Sequence, residues 1–309
     1  MFLIAEDCTR DRQAGIAAET NDPLGARLAE LAAVLALRKP ELDLDDVARL
    51  LEVLADRHFT TSAEPPIELP SAAIANTWLM PAAAPPVLAE LAAGMARSQT
   101  IRLVNFHATP RYREAEFRRQ IEALSHAFEP VTPANFAEAM EGRWSHERPG
   151  LMPALFEGYR DNLDVMLPIL EEFGFTGWLF VPSGFLNVPA EEQRGYAAQH
   201  TLHLPAVDEY PGERYALSWD EARDIVRRGH AFACHTRSHF EVTPDTSREV
   251  LENEIIAAKI EMERELGTRI ESFCWLEGAE LGVNPEADDM LRQAGFRYLF
   301  SNFKVQKLQ

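Results

Sequence analysis

His235 and His239 stand four residues apart, with Thr236 and Ser238 between them. Residues at this spacing share one face of a helical turn, so both imidazoles can aim at one point. That point could be a divalent metal, because imidazole nitrogen is a good ligand for zinc and its neighbours. The chain holds nine histidines, so the spacing alone is a weak signal and its surroundings must strengthen it. A short apolar run, Ala231-Phe232-Ala233-Cys234, delivers the pair and reads as a buried strand. The plainer alternative is two exposed turn histidines.

The elements around the pair follow one pattern. Residues 101–106, 151–155, 178–182, 231–234, 272–276 and 298–301 read as buried strands. Between them lie marked helices. Ser218 and Glu221 form a capping-box pattern, and that helix runs to Arg227-Arg228 before Gly229. Thr246 and Glu249 repeat the spacing ahead of a long helix ending at Gly267, and Asn284-Pro285 open one that closes at Gly295. Strand then helix, repeated with buried strands, predicts a parallel sheet, open or closed into a barrel. In a barrel the chemistry gathers at the C-terminal strand ends. His107, Glu157, His235, His239 and Glu277 all fall at or just past such ends.

The first hundred residues differ. Residues 22–38, 43–58 and 86–97 carry Leu, Ala and Val at helical spacing, with Pro-rich sequence between. They predict a helical N-terminal extension over 1–100, ahead of an α/β domain over 101–309. No chemical motif attaches to it; a cap, a partner surface or a homo-oligomer contact through its helices are the expected uses. The whole chain, 309 residues with 46% hydrophobic and 26% charged, reads as folded and able to bury a sizeable core. A net charge of −19 argues against nucleic acid, which needs Lys and Arg to neutralise phosphate, and gives no attraction to an anionic membrane. Cys8, Cys234 and Cys274 are widely spaced with no CxxC, so no disulfide framework is indicated. The opening residues lack a signal-peptide pattern and no apolar run reaches the roughly 20 residues of a membrane span, so the cytoplasm is expected.

The run 153–162, Pro-Ala-Leu-Phe-Glu-Gly-Tyr-Arg-Asp-Asn, continuing to Leu167-Pro168-Ile169-Leu170, resembles the strand–turn–helix of polysaccharide deacetylases (the NodB-homology family). Residues 178–181 look like that family's next strand. Ser218 to Gly229 followed by His235 to His239 resembles its helix, strand and His-Ser/Thr-x-x-His motif. Residues 273–278 and Ala294-Gly295-Phe296 look like its later strand and helix end, and Asn105-Phe106-His107 matches its opening segment in outline. The resemblance spans about 101–303. It implies an α/β fold, a distorted β/α barrel, and metal-assisted hydrolysis of an amide bond, removing an N-acetyl group from an amino sugar. In the family the metal polarises the acetyl carbonyl and its water, a carboxylate takes the water's proton, and an acid protonates the departing amine. By resemblance, Glu157, His235 and His239 hold the metal, zinc being the one expected, with Glu157 where the family has aspartate.

The pattern departs from the family at the proton-transfer groups. Phe156 stands where the family has its general base, and a phenyl ring accepts no proton. Leu276-Glu277 replaces the family's Pro-Tyr, Cys274 stands in place of the usual arginine or alanine, and no late Leu-x-x-His segment is found. Glu277 could then serve as base, and His107 could donate or accept a proton. Against these stand plainer readings: Glu157 as a helix-capping carboxylate, His107 bonded to backbone, Glu277 a surface carboxylate. Two rivals remain, a catalytically silent saccharide- or metal-binding protein on the same barrel and a metal-independent hydrolase of small amides. Neighbours on a strand face opposite ways, so Cys234 and His235 are badly placed to exchange a proton, and Cys234 and Cys274 read as core. Trp178 and Trp275 read as core too, and His200 to His203 as part of an insertion loop over the barrel mouth.

Overall fold

In the computed structural model the described residues are 5–7, 101–204, 209–210, 212, 214–277, 279–301 and 305–308, with 5–7 described as backbone. The helices expected over 22–38, 43–58 and 86–97 lie outside them.

Among the described residues nine strands form one sheet: β1 (Ala5–Asp7), β2 (Ile101–Phe106), β3 (Glu129–Pro130), β4 (Gly150–Phe156), β5 (Trp178–Val181), β6 (Ala231–Cys234), β7 (Ser272–Cys274), β8 (Tyr298–Phe300) and β9 (Val305–Lys307). Their order is β1-β2-β4-β5-β6-β7-β8-β9, with β3 paired to the start of β4, where β5 has not yet begun. All these pairs are parallel except β8 with β9, and among the described residues the curled sheet has two separate edges, the form of an open half-barrel. The expected strands 101–106 and 231–234 match β2 and β6 residue for residue, while 272–276 stops early, at Cys274.

Alternation along each strand builds two cores. Leu155, Leu179, Val181, Phe232, Cys234 and Phe273 meet the surrounding helices, together with Ile225, Ile255 and Leu291. Met152, Ala154, Phe156, Trp178, Phe180, Ala233, Cys274 and Phe300 face the other way, where Phe136 and Trp144 fill the concave side. Phe136 lies edge-on to Trp178 and stacks on Phe300, and the Trp178 indole N–H donates to the Val131 carbonyl at 2.8 Å. The concave side is therefore filled with packed aromatic side chains. Cys234 and His235 do face opposite ways, and both described cysteines are buried and unpaired.

The helix caps follow the sequence in part. Ser218 and Glu221 close a reciprocal capping box ahead of Trp219–Arg227. The Asn284 side chain accepts from the amides of Glu286 and Ala287. The expected cap at Thr246 is corrected: Ser247 holds the N-cap position of Arg248–Leu251 with no side-chain bond, and Thr246 bonds to Thr243 instead. Beyond Arg248–Leu251 the helix widens into a π turn, Glu252–Ala257, before Ala258–Leu266 and a left-handed Gly267. Among the described residues no helix is long and apolar enough to cross a membrane.

Candidate metal centre

Glu157, His235 and His239 meet at the C-terminal rim, each offering a ligand atom within 4.8 Å of the others. Central strand β5 sets two of them. The Glu157 amide donates to the Phe180 carbonyl at 2.9 Å and the His235 amide to the Val181 carbonyl at 3.1 Å. The two residues so flank the end of one strand. Glu157 then leaves β4 through a left-handed turn (φ 70°, followed by Gly158 at 69°), held by Leu217 N–H on the Gly158 carbonyl and Arg160 N–H on the Tyr215 carbonyl.

The histidines are carried by a turn, which corrects the helical geometry expected from their spacing. Thr236 and His239 are both left-handed, at φ 61° and 59°. The Thr236 hydroxyl accepts the Phe240 amide at 2.8 Å, closing the turn so that both imidazoles still converge. Five non-glycine residues with positive φ occur among the described residues, and all sit at this rim: Glu157, Thr201, Thr236, His239 and Glu277. Such backbone costs on the order of 1 kcal/mol or more per residue and persists where the surroundings enforce it, characteristically at functional sites.

Each imidazole is oriented by a backbone carbonyl. His235 Nδ1 lies 3.0 Å from the Cys274 carbonyl, and His239 Nδ1 lies 2.8 Å from the His200 carbonyl. A carbonyl can only accept, so both Nδ1 atoms carry the proton and the Nε2 atoms are turned to the centre. A metal-ligating histidine is ordinarily held in this way. His239 Nε2 is 3.1 Å from Glu157 Oε1, while Glu157 Oε2 is buried with no hydrogen-bond partner among the described residues. Burial works to raise the Glu157 carboxyl, but the imidazoles of His239, His235 and His107 outweigh it and hold it at about 2. Burial takes His235 down to about 4, so it is neutral; on His239, burial is overcome by Glu157 and the value rises. An ionised carboxylate with a spare buried oxygen and two tethered imidazoles is a donor set that suits zinc or a similar divalent cation.

His107 follows β2 with its Nε2 3.7 Å from Glu157 Oε1, partly exposed at the rim. Phe156 is buried beside it, stacked on Phe180 (4.9 Å, 9°) and on His107 (5.2 Å, 26°) and edge-on to His235 (5.2 Å). Glu277 stands exposed, three residues past β7, and its charge contributes to raising His239. It is therefore near the centre but outside the three-ligand group. His200, which the sequence placed in an insertion loop, ends the helix Gln193–Gln199 and lends its carbonyl to His239. No residue type signals a backbone carbonyl's role, so sequence reasoning missed it.

A parallel half-barrel with a carboxylate and two histidines at its C-terminal rim makes this a candidate metal centre. Residues 156–299 match the family model described as polysaccharide deacetylase. The structure of IcaB from Ammonifex degensii is similar, with 18% identity, a TM-score of 0.51, and coverage of 65% of this chain and 83% of that one. Streptococcus pyogenes deacetylase PplD in complex with acetate shows 13% identity and a TM-score of 0.48 over 64% and 80%. A de-N-acetylase from Aggregatibacter actinomycetemcomitans shows 14% and 0.49 over 65% and 87%. The likeness of fold rests on the first of the three. The curated proteins contain no match.

Proposed function

We propose that this protein hydrolyses a non-peptide C–N amide bond, removing an N-acetyl group from an amino-sugar-containing saccharide or a small N-acetylated substrate. The observation that carries the reading is the convergence of Glu157, His235 and His239 at the rim of a polysaccharide deacetylase domain. These three would hold a divalent cation, zinc by the character of the donors. When bound, such a cation supplies Lewis acidity, polarising a carbonyl and acidifying water.

The chain's own groups do the rest. Water adds across the amide, the C–N bond breaks, and acetate and a free amine leave. Glu277, exposed at the mouth, takes the water's proton. His107, at the edge of the Glu157 carboxylate, delivers a proton to the departing nitrogen. The Phe156–Phe180 wall keeps the inner side of the centre dry, which strengthens the charges there. Two unpaired buried cysteines agree with a reducing, cytoplasmic setting, and so with a soluble saccharide precursor as substrate.

Phe156 favours a second reading, a silent saccharide-binding protein on the same barrel, because by the resemblance it stands where the family has its base. Purified protein incubated with zinc and a panel of N-acetylglucosamine oligomers separates the two. Acetate release, lost in the variant carrying both His235→Ala and His239→Ala, supports hydrolysis. Saccharide binding without acetate release from any member would favour the silent reading. Release that survives chelation would point to the metal-independent amide hydrolase.

A further inference from the structure

Glu254 is a carboxylate with only 4% of its surface exposed, set in the π turn Glu252–Ala257. Its Oε2 accepts the backbone amides of Arg237 at 3.0 Å and Ser238 at 2.8 Å. Its Oε1 accepts the Ser238 hydroxyl at 2.9 Å and the Asn253 amide at 3.0 Å. Three of the four donors belong to the segment between His235 and His239. A buried charge is tolerated when it is met by good donors, and charge-assisted bonds of this kind are roughly twice as strong as neutral ones.

The left-handed residues Thr236 and His239 put Arg237 and Ser238 at the crest of a turn whose amides have no strand or helix to bond with. Glu254 supplies what the ladder cannot. The wider π turn lets it do so while its neighbours Leu251 and Ile255 stay fully buried in the core. The other end of the crest is closed by Gly184, whose amide donates to the Arg237 carbonyl at 2.8 Å.

We propose that Glu254 is a positioning residue for the metal centre, clamping the crest of the turn and so fixing the separation of the two imidazoles. The inference rests on reading Glu157, His235 and His239 as metal ligands. It assigns the clamp to a residue that touches neither metal nor substrate.

Cobalt titration followed by visible absorption, with zinc competition against a chelator, tests this on the full chain. The proteins compared are the wild type, Glu254→Gln, Ser238→Ala and Ile255→Val. Loss of an outer partner of a metal ligand ordinarily costs about 10- to 100-fold in affinity, and Glu254→Gln should lose about that much. Ser238→Ala, which removes one hydroxyl donor, should lose less and carries the test if Glu254→Gln does not fold. Ile255→Val should lower the thermal midpoint and leave affinity and spectrum unchanged. Wild-type affinity in Glu254→Gln, or an equal loss in Ile255→Val, would overturn the clamp. Absence of binding in all four proteins would instead sink the metal reading, and the clamp with it.

Discussion

Phe156 and His107 lie ring to ring at 5.2 Å and 26°, and the same imidazole stands 3.7 Å from Glu157. The phenyl ring thus packs against the imidazole that stands beside the carboxylate. By the resemblance to polysaccharide deacetylases, Phe156 stands where that family has a carboxylate base, beside a donor set of metal type.

Restoring that carboxylate is therefore informative. Phe156→Asp should raise acetate release at least tenfold, since a general base typically contributes about 10² to 10⁴ in rate. It should also lower stability by about 3 to 5 kcal/mol, as large aromatic truncations do. Kinetics and denaturant melts on one preparation check both. An unchanged rate with metal bound would mean that the pocket differs by more than the base.

His107 is assigned proton transfer, not metal holding. His107→Gln should cut kcat by about 10² to 10⁴, with metal content unchanged. Loss of metal in this variant would make His107 a ligand and remove its proposed role.

Asp161 gives a pH signature of its own. It is 2% exposed, and burial, reinforced by Glu209 and Asp164 against the Thr109 amide, pushes its carboxyl from 3.8 up to about 8. Between those values the folded chain keeps a proton that the unfolded chain has released, so stability falls as pH rises. Its contribution is complete below about pH 4 and gone above about pH 8. Asp161→Asn should remove this slope, so that wild type loses ground to the variant between pH 5 and about pH 8. Parallel denaturation curves across that range would contradict the assignment.

Gly184 is a packing constraint on the histidine turn. A Cβ there would sit 2.7 Å from the Arg237 carbonyl oxygen and 2.9 Å from the Tyr196 hydroxyl. Gly184→Ala should cost about 1 to 3 kcal/mol and weaken metal binding, because the backbone that must yield lies between the two histidines. Calorimetry and metal titration together would show it; a neutral result would mean that the turn moves freely.

Much of this was legible in the chain. Short continuous apolar runs located the strands, and Ser218 with Glu221 and Asn284 with Pro285 located helix starts, because each is a local effect. Strand ends drew attention to Glu157, His235 and His239 together with His107 and Glu277, and the resemblance to polysaccharide deacetylases singled out those three as ligands. What failed was non-local. The four-residue histidine spacing suggested a helical turn, whereas Gly184 and Glu254, distant in sequence, enforce a left-handed one. Thr246 had the right spacing for a cap, yet Thr243 offered it a nearer partner. Glu254 reads as any solvated helix carboxylate until the π turn buries it, and the His200 carbonyl has no signature at all.

The most direct measurement is metal content. Protein purified without a histidine tag, incubated with zinc and dialysed, should hold about one equivalent by elemental analysis, and the variant carrying both His235→Ala and His239→Ala should hold none. A wild-type protein that retains no zinc or other divalent metal after this treatment would contradict the three-ligand centre.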